Sequence, residues 1–147
     1  MATMEEITDK QVTLTREAEG VYLARNAEGA EYRFGHNVDG ALSSIELLMV
    51  AIAGCSATDL DMMTSRRADP TKFDVTVDAQ KVAGSSPAFL RNIEVLFDVA
   101  FPEGEDGDKA RARIGAALKA AEEKTCTVSR TVSAGSPVTL KTADGAA

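Results

Sequence analysis

The segment Ile45 to Ala57 is apolar almost all round, broken only by Glu46, Gly54 and Ser56, and it restricts the possible folds more than any other feature of the chain. Ser43 followed three residues later by Glu46 matches a capping box, so the spacing predicts a helix beginning there. A helix apolar on every side is expected to be buried on every side. Gly54 inside it costs roughly 1 kcal/mol of helix propensity and is expected to mark a close backbone approach. The pattern turns polar after Thr58, and Asp69-Pro70 ends the helix because proline lacks an amide donor and restricts its predecessor. A chain of 147 residues has little else with which to cover such a helix. Part of it is therefore expected in a subunit interface, most simply that of a two-fold homodimer.

The flanking segments read largely as strands. Val12, Leu14, Val21 and Leu23 alternate with polar neighbours around a Glu19-Gly20 turn, and Ala27-Glu28-Gly29 leads to a short strand, Glu31 to Phe34. Phe73, Val75, Val77 and Ala79 mark a half-buried strand. After a break at Gly84-Ser85-Ser86-Pro87, Ile93, Val95, Phe97, Val99 and Phe101 mark its hairpin partner. A second helix is predicted over Asp108 to Lys124, with Ala110, Ile114, Ala117, Leu118 and Ala121 as its apolar stripe. Val128 and Val132 then suggest a strand, and a Gly-Ser-Pro turn at 135–137 precedes a last strand, Val138 to Lys141. The expected fold is α+β and a single domain over residues 1–147, with largely antiparallel sheets packed against a long central helix and a second helix.

A net charge of -7 argues against nucleic-acid binding, and Arg66-Arg67 alone is no basic patch. The N-terminus lacks a charged, apolar leader, and the apolar run Leu47 to Ala53 is too short to cross a bilayer. The expected setting is the cytoplasm, without membrane association, where thiols stay reduced. Cys55 and Cys126 are thus not expected to form a structural staple; they are either small core residues or reactive thiols. No C-x-x-C occurs and His36, in a polar loop, is the one histidine, so neither metal nor cofactor is expected.

Cys55 lies too far into its helix to use the amides of the first turn, and Asp59, one turn on, would raise its pKa. Activation therefore requires help from elsewhere, such as Arg33, Arg66, Arg67 or a second subunit. Glu46 reads either as a plain capping carboxylate or as a site residue. In a straight helix the nine residues from Glu46 to Cys55 amount to about half a turn and about 13.5 Å of rise, which keeps the two apart.

The string Ile45-Glu46-Leu47-Leu48-Met49-Val50-Ala51-Ile52-Ala53-Gly54-Cys55 resembles the first cysteine helix of the OsmC/Ohr family, and Cys126-Thr127-Val128-Ser129-Arg130-Thr131 resembles its second cysteine motif. The resemblance extends over nearly the whole chain. It implies an OsmC-like fold, an intertwined homodimer with active sites at the interface, and thiol-dependent reduction of organic hydroperoxides. In that scheme Cys55 attacks the peroxide, Cys126 resolves the sulfenic acid as a disulfide, and an external dithiol restores both. Glu46 and Arg33 are the candidates for the supporting carboxylate and guanidinium. Ile45 stands where the active branches usually carry their glutamate, and Thr127 stands where proline or serine is usual. These departures resemble the general OsmC-like branch more than Ohr proper. The alternative is a non-enzymatic protein of the same family that binds a small molecule or acyl ligand, or senses redox state. Leu48, Ile52, Met62, Met63 and Phe89 are candidates to line a pocket beside Cys55.

Overall fold

The computed structural model describes residues 4–84 and 87–145, so Ser85 and Ser86 of the expected turn lie outside the described residues. Strands β1 (Val12–Ala18), β2 (Val21–Asn26) and β3 (Glu31–Phe34) form the expected antiparallel meander in that order. The β2–β3 turn is organised by Asn26, whose side-chain oxygen accepts the amides of Glu28 at 3.1 Å and Ala30 at 2.9 Å. That arrangement offers the backbone a turn in place of a continued ladder.

Helix α1 spans Ser44–Thr64. Its start is the predicted capping box: the Glu46 amide donates to Ser43 Oγ at 3.2 Å, and the Ser43 amide donates to Glu46 Oε1 at 3.0 Å. The chain forms two compact units, divided within α1 between Leu48 and Met49.

In the second unit, β4 (Lys72–Val82) and β5 (Phe89–Ala100) form an antiparallel hairpin. Leu90 is even-numbered, whereas Ile93, Val95, Phe97 and Val99 are odd, so a regular strand would send Leu90 to the opposite face. A register irregularity opposite Asp78 to Gln80, with Asn92 at φ 51, absorbs one residue and leaves Leu90 half-buried like the others. Asn92 Nδ2 donates to Gln80 Oε1 at 2.8 Å across the irregularity.

Helix α2 covers Glu105–Ala120 and buries Gly107, Ala110 and Ala117, close to the predicted stripe. A π-helical turn, Ala121–Thr125, follows and ends with the Cys126 amide donating to the Ala121 carbonyl oxygen at 3.0 Å. Where a strand was expected from Val128, the chain forms helix α3, Thr127–Ala134, which Gly135 ends at φ 64. The four-residue spacing of Val128 and Val132 suits a helix as well as it suits widely spaced strand positions, and the left-handed glycine is a helix stop. Val138 to Lys141 forms no strand; those residues are exposed and pair with nothing in either sheet.

Burial of α1 also differs from expectation. The chain covers one stripe, Ile52, Ser56, Leu60 and Thr64, spaced four residues apart. Val50 and Met62 stay 51% and 59% exposed. Gly54 has nothing within 4 Å of where a Cβ would sit, so no close approach explains it within one chain. By length and composition α1 would also suit a membrane span, with a mean hydropathy of 1.3, but a core helix passes the same test.

Candidate functional site

The buried stripe of α1 meets the segment that joins α2 to α3. Thr125 Oγ1 donates to Asp59 Oδ2 at 2.8 Å, and Ser56 Oγ lies 3.3 Å from Cys126 Sγ. These contacts bring Cys55 and Cys126 together from far apart in sequence. Both thiols are free, Cys55 half-buried and Cys126 buried, and they lie close enough that each shifts the other's acidity.

The π-helical turn sets the approach. An extra residue in the last turn of a helix redirects the chain that leaves it, and such turns are frequent at functional sites. Here it delivers Cys126 to the N-cap position of α3 with an extended backbone. The first amides of a helix have no carbonyl partner within it and carry the positive end of the helix dipole. Those of α3 bear on the two sulfurs. The Val128 amide is the strongest single influence on Cys55 and favours its thiolate. The Ser129 amide is among the groups that favour the thiolate of Cys126. A helix terminus therefore does assist Cys55, from α3 rather than from its own helix.

The two thiols end up with opposite acidity. At Cys55 the Val128 amide is outweighed by burial, the hydrogen bond and charge of Cys126, and the charge of Asp59, so its pKa lies above that of an ordinary thiol. Burial is also the largest influence on Cys126, but the Ser129 hydroxyl, the Ser56 hydroxyl, the Ser129 amide and the Cys55 thiol together outweigh it, so its pKa lies below. The effect of Asp59 has the sign expected from sequence. Ser129 Oγ is 3.1 Å from Cys126 Sγ. Ser56 also donates to the Ile52 carbonyl oxygen at 3.1 Å, so its single proton turns either to that oxygen or to the sulfur.

Beside this pair lies a cavity of about 400 Å³. Ile52, Ile93, Val95, Phe97, Leu118 and Val132 supply its apolar wall; Glu122, Ser56 and Ser129 also line it, the two serines being those that contact Cys126, whereas neither cysteine does. Of the residues expected to line a pocket, Ile52 does so; Met63 lines a different cavity, and Leu48, Met62 and Phe89 are exposed. Glu46 is exposed and occupied in the capping box, where the Ser43 amide and then the Ser43 hydroxyl lower its pKa. Arg33 is held by Glu17 across the first sheet, with Nη2 donating to Oε2 at 3.1 Å, and His36 is exposed. Among the described residues no group of three or more His, Cys, Asp or Glu side chains is placed to hold a metal ion.

Ser56, Ser129 and the α3 amides were not anticipated as site groups. The one available signal was the interval from Cys126 to Ser129, which is that of an N-cap residue and the third residue of a helix.

A family model described as OsmC-like protein matches residues 35–141. An uncharacterised protein of Mycobacterium tuberculosis is 28% identical over 124 residues, covering 84% of this chain and 88% of that protein. A crystal structure of a hypothetical protein from Aquifex aeolicus superposes with a TM-score of 0.69 at 23% identity, over 88% of this chain and 91% of the other. An OsmC-like protein from Mycoplasma pneumoniae superposes with a TM-score of 0.66 at 12% identity, over 86% of this chain and 88% of the other.

Proposed function

The chain belongs to the OsmC-like protein family, and on that premise we propose that it reduces organic hydroperoxides to alcohols at the Cys55–Cys126 pair. One observation carries this reading: two free, interacting thiols lie beside an apolar cavity, with amides and hydroxyls aimed at stabilising a thiolate. The apolar wall suits the organic part of a hydroperoxide, and the serine hydroxyls suit its oxygens.

Cys55 is the more accessible sulfur and makes the attack. Cys126, the lower-pKa partner, ionises first, and Cys55 gives up its own proton to water before it attacks. The Cys55 thiolate attacks the terminal peroxide oxygen, the O–O bond breaks, and the alkoxide leaves as alcohol after taking up a proton. Cys55 is then a sulfenic acid. Cys126 sulfur displaces its hydroxyl as water to form the disulfide, and an external dithiol reduces that bond through exchange. The reaction is placed in the cytoplasm, where such a reductant is kept available. The functional unit is placed in a homodimer, because Val50, Met62 and Leu96 of the second unit leave apolar surface that another copy would cover.

Intact mass after one equivalent of cumene hydroperoxide tests this reading. Reduced wild-type protein should lose about 2 Da per chain, and Cys126→Ala should instead gain about 16 Da as a trapped sulfenic acid. Unchanged mass at millimolar peroxide would sink it. The raised pKa of Cys55 favours a second reading, a slower redox sensor with the same oxidation chemistry but without rapid turnover. Steady-state consumption of peroxide with dihydrolipoamide separates the two.

A further inference from the structure

A second cavity of about 360 Å³ in the same unit is lined by Met63, Arg66, Arg67 and Arg113. Met63 lies on the last turn of α1, Arg66 and Arg67 on the turn that follows, and Arg113 on α2. The fold thus adds a third guanidinium to the Arg66-Arg67 pair, and no carboxylate lines the cavity.

The other arginines are mostly engaged. Arg25 pairs with Glu31, Arg33 with Glu17 and Arg111 with Asp108, while Arg91 donates to Gln80 and Arg130 to the carbonyls of Glu122 and Glu123. Among the described residues Arg66, Arg67 and Arg113 show no ion pair or hydrogen bond through their side chains. Acids are not scarce, since the chain carries 23 Asp and Glu against 16 Lys and Arg. All three are exposed to solvent, and three like charges around one hollow set up a local positive field that an anion would relieve. The carboxyl end of α1 accounts for cations at Arg66 and Arg67 through its dipole, but not for Arg113, which is in the interior of α2.

We propose that this cavity binds a small phosphorylated molecule. Guanidinium forks match phosphate oxygens in paired hydrogen bonds, which a point-charged ammonium does not do. The Met63 thioether offers an apolar contact for an organic portion. The overall charge of -7 repels long polyanions and favours a compact ligand held by local charge. No lining residue is shared with the cysteine cavity, so the site is independent of the peroxide chemistry.

Titration calorimetry with inorganic pyrophosphate at low ionic strength tests the proposal on the full chain. Saturable binding at one per chain is expected, weakened about tenfold or more in Arg113→Gln and in Arg67→Gln. Lys119→Gln should bind like wild type, because that cation is also on α2 but is already paired with Glu123. Thermal melts of the free variants, expected to match wild type, separate loss of binding from loss of fold. Absence of heat at millimolar pyrophosphate, or undiminished binding by an Arg67→Gln, Arg113→Gln double variant, would overturn the proposal.

Discussion

At the scale of single residues, the groups that favour a thiolate at this site are hydroxyl and amide donors rather than charged side chains. Ser129 is the clearest case, since its hydroxyl is the leading influence that lowers the pKa of Cys126. Removing a donor from an anion disfavours the anion, so Ser129→Ala should move the thiolate titration of Cys126 to higher pH. A hydrogen bond to a charged group contributes about 1.5–3 kcal/mol, so alkylation of Cys126 near neutral pH should slow by roughly tenfold or more. The pH profile of that alkylation in a Cys55→Ala background checks it; a profile unmoved by the serine substitution would contradict the role given to Ser129. Part of this was legible in sequence: the cysteines announce themselves by their motifs, and Asp59 by its one-turn offset from Cys55. The role of Ser56 was not, because it follows Cys55 directly and so faces about 100° away on the helix. Its relevance depends on which element packs against that other face, a long-range fact that local spacing does not carry.

At the scale of elements, half-buried strands and capped helices proved legible because each writes its own period. The alternation of β4 and β5, the meander and the Ser43–Glu46 box all lie where expected. α3 did not, because it is short and its two valines satisfy either period. The bulge at Asn92 was hidden for a related reason: a one-residue slip looks like ordinary noise in a binary pattern. The junction of β5 and α2 is tightly packed. Gly107 is buried in the first turn of α2, and a Cβ there would lie 1.7 Å from the Pro102 carbonyl oxygen. Arg111 also donates to the Phe101 carbonyl oxygen at 3.2 Å, so the backbone at this corner is held from two sides. Gly107→Ala should therefore destabilise by about 1–3 kcal/mol through overpacking, despite alanine's better helix propensity. Urea denaturation measures this, and a gain in stability would show that the corner yields.

At the scale of the whole molecule, the apolar helix that most constrained the fold is only partly covered. Its stripe toward Cys126 is closed, while Val50 at 51% exposure and Leu96 of β5 at 66% remain open to water. Under the homodimer proposed above, a charge placed on that surface should separate the subunits. Val50→Asp is expected to sediment as a monomer where wild type sediments as a dimer, because an unpaired carboxylate is costly in a dry contact. A wild-type monomer at micromolar concentration would remove that part of the proposal. The π-helical turn at Ala121–Thr125 has a different reach, since it concerns how the gene tolerates change. One codon removed from this stretch would restore an ordinary α-helical turn and rotate whatever follows by about 100°. Cys126 would survive in the reading frame yet no longer face its partner sulfur. The meeting of the two sulfurs is thus encoded as a length as much as a letter, and a deletion scan would detect a dependence to which substitution scanning is blind.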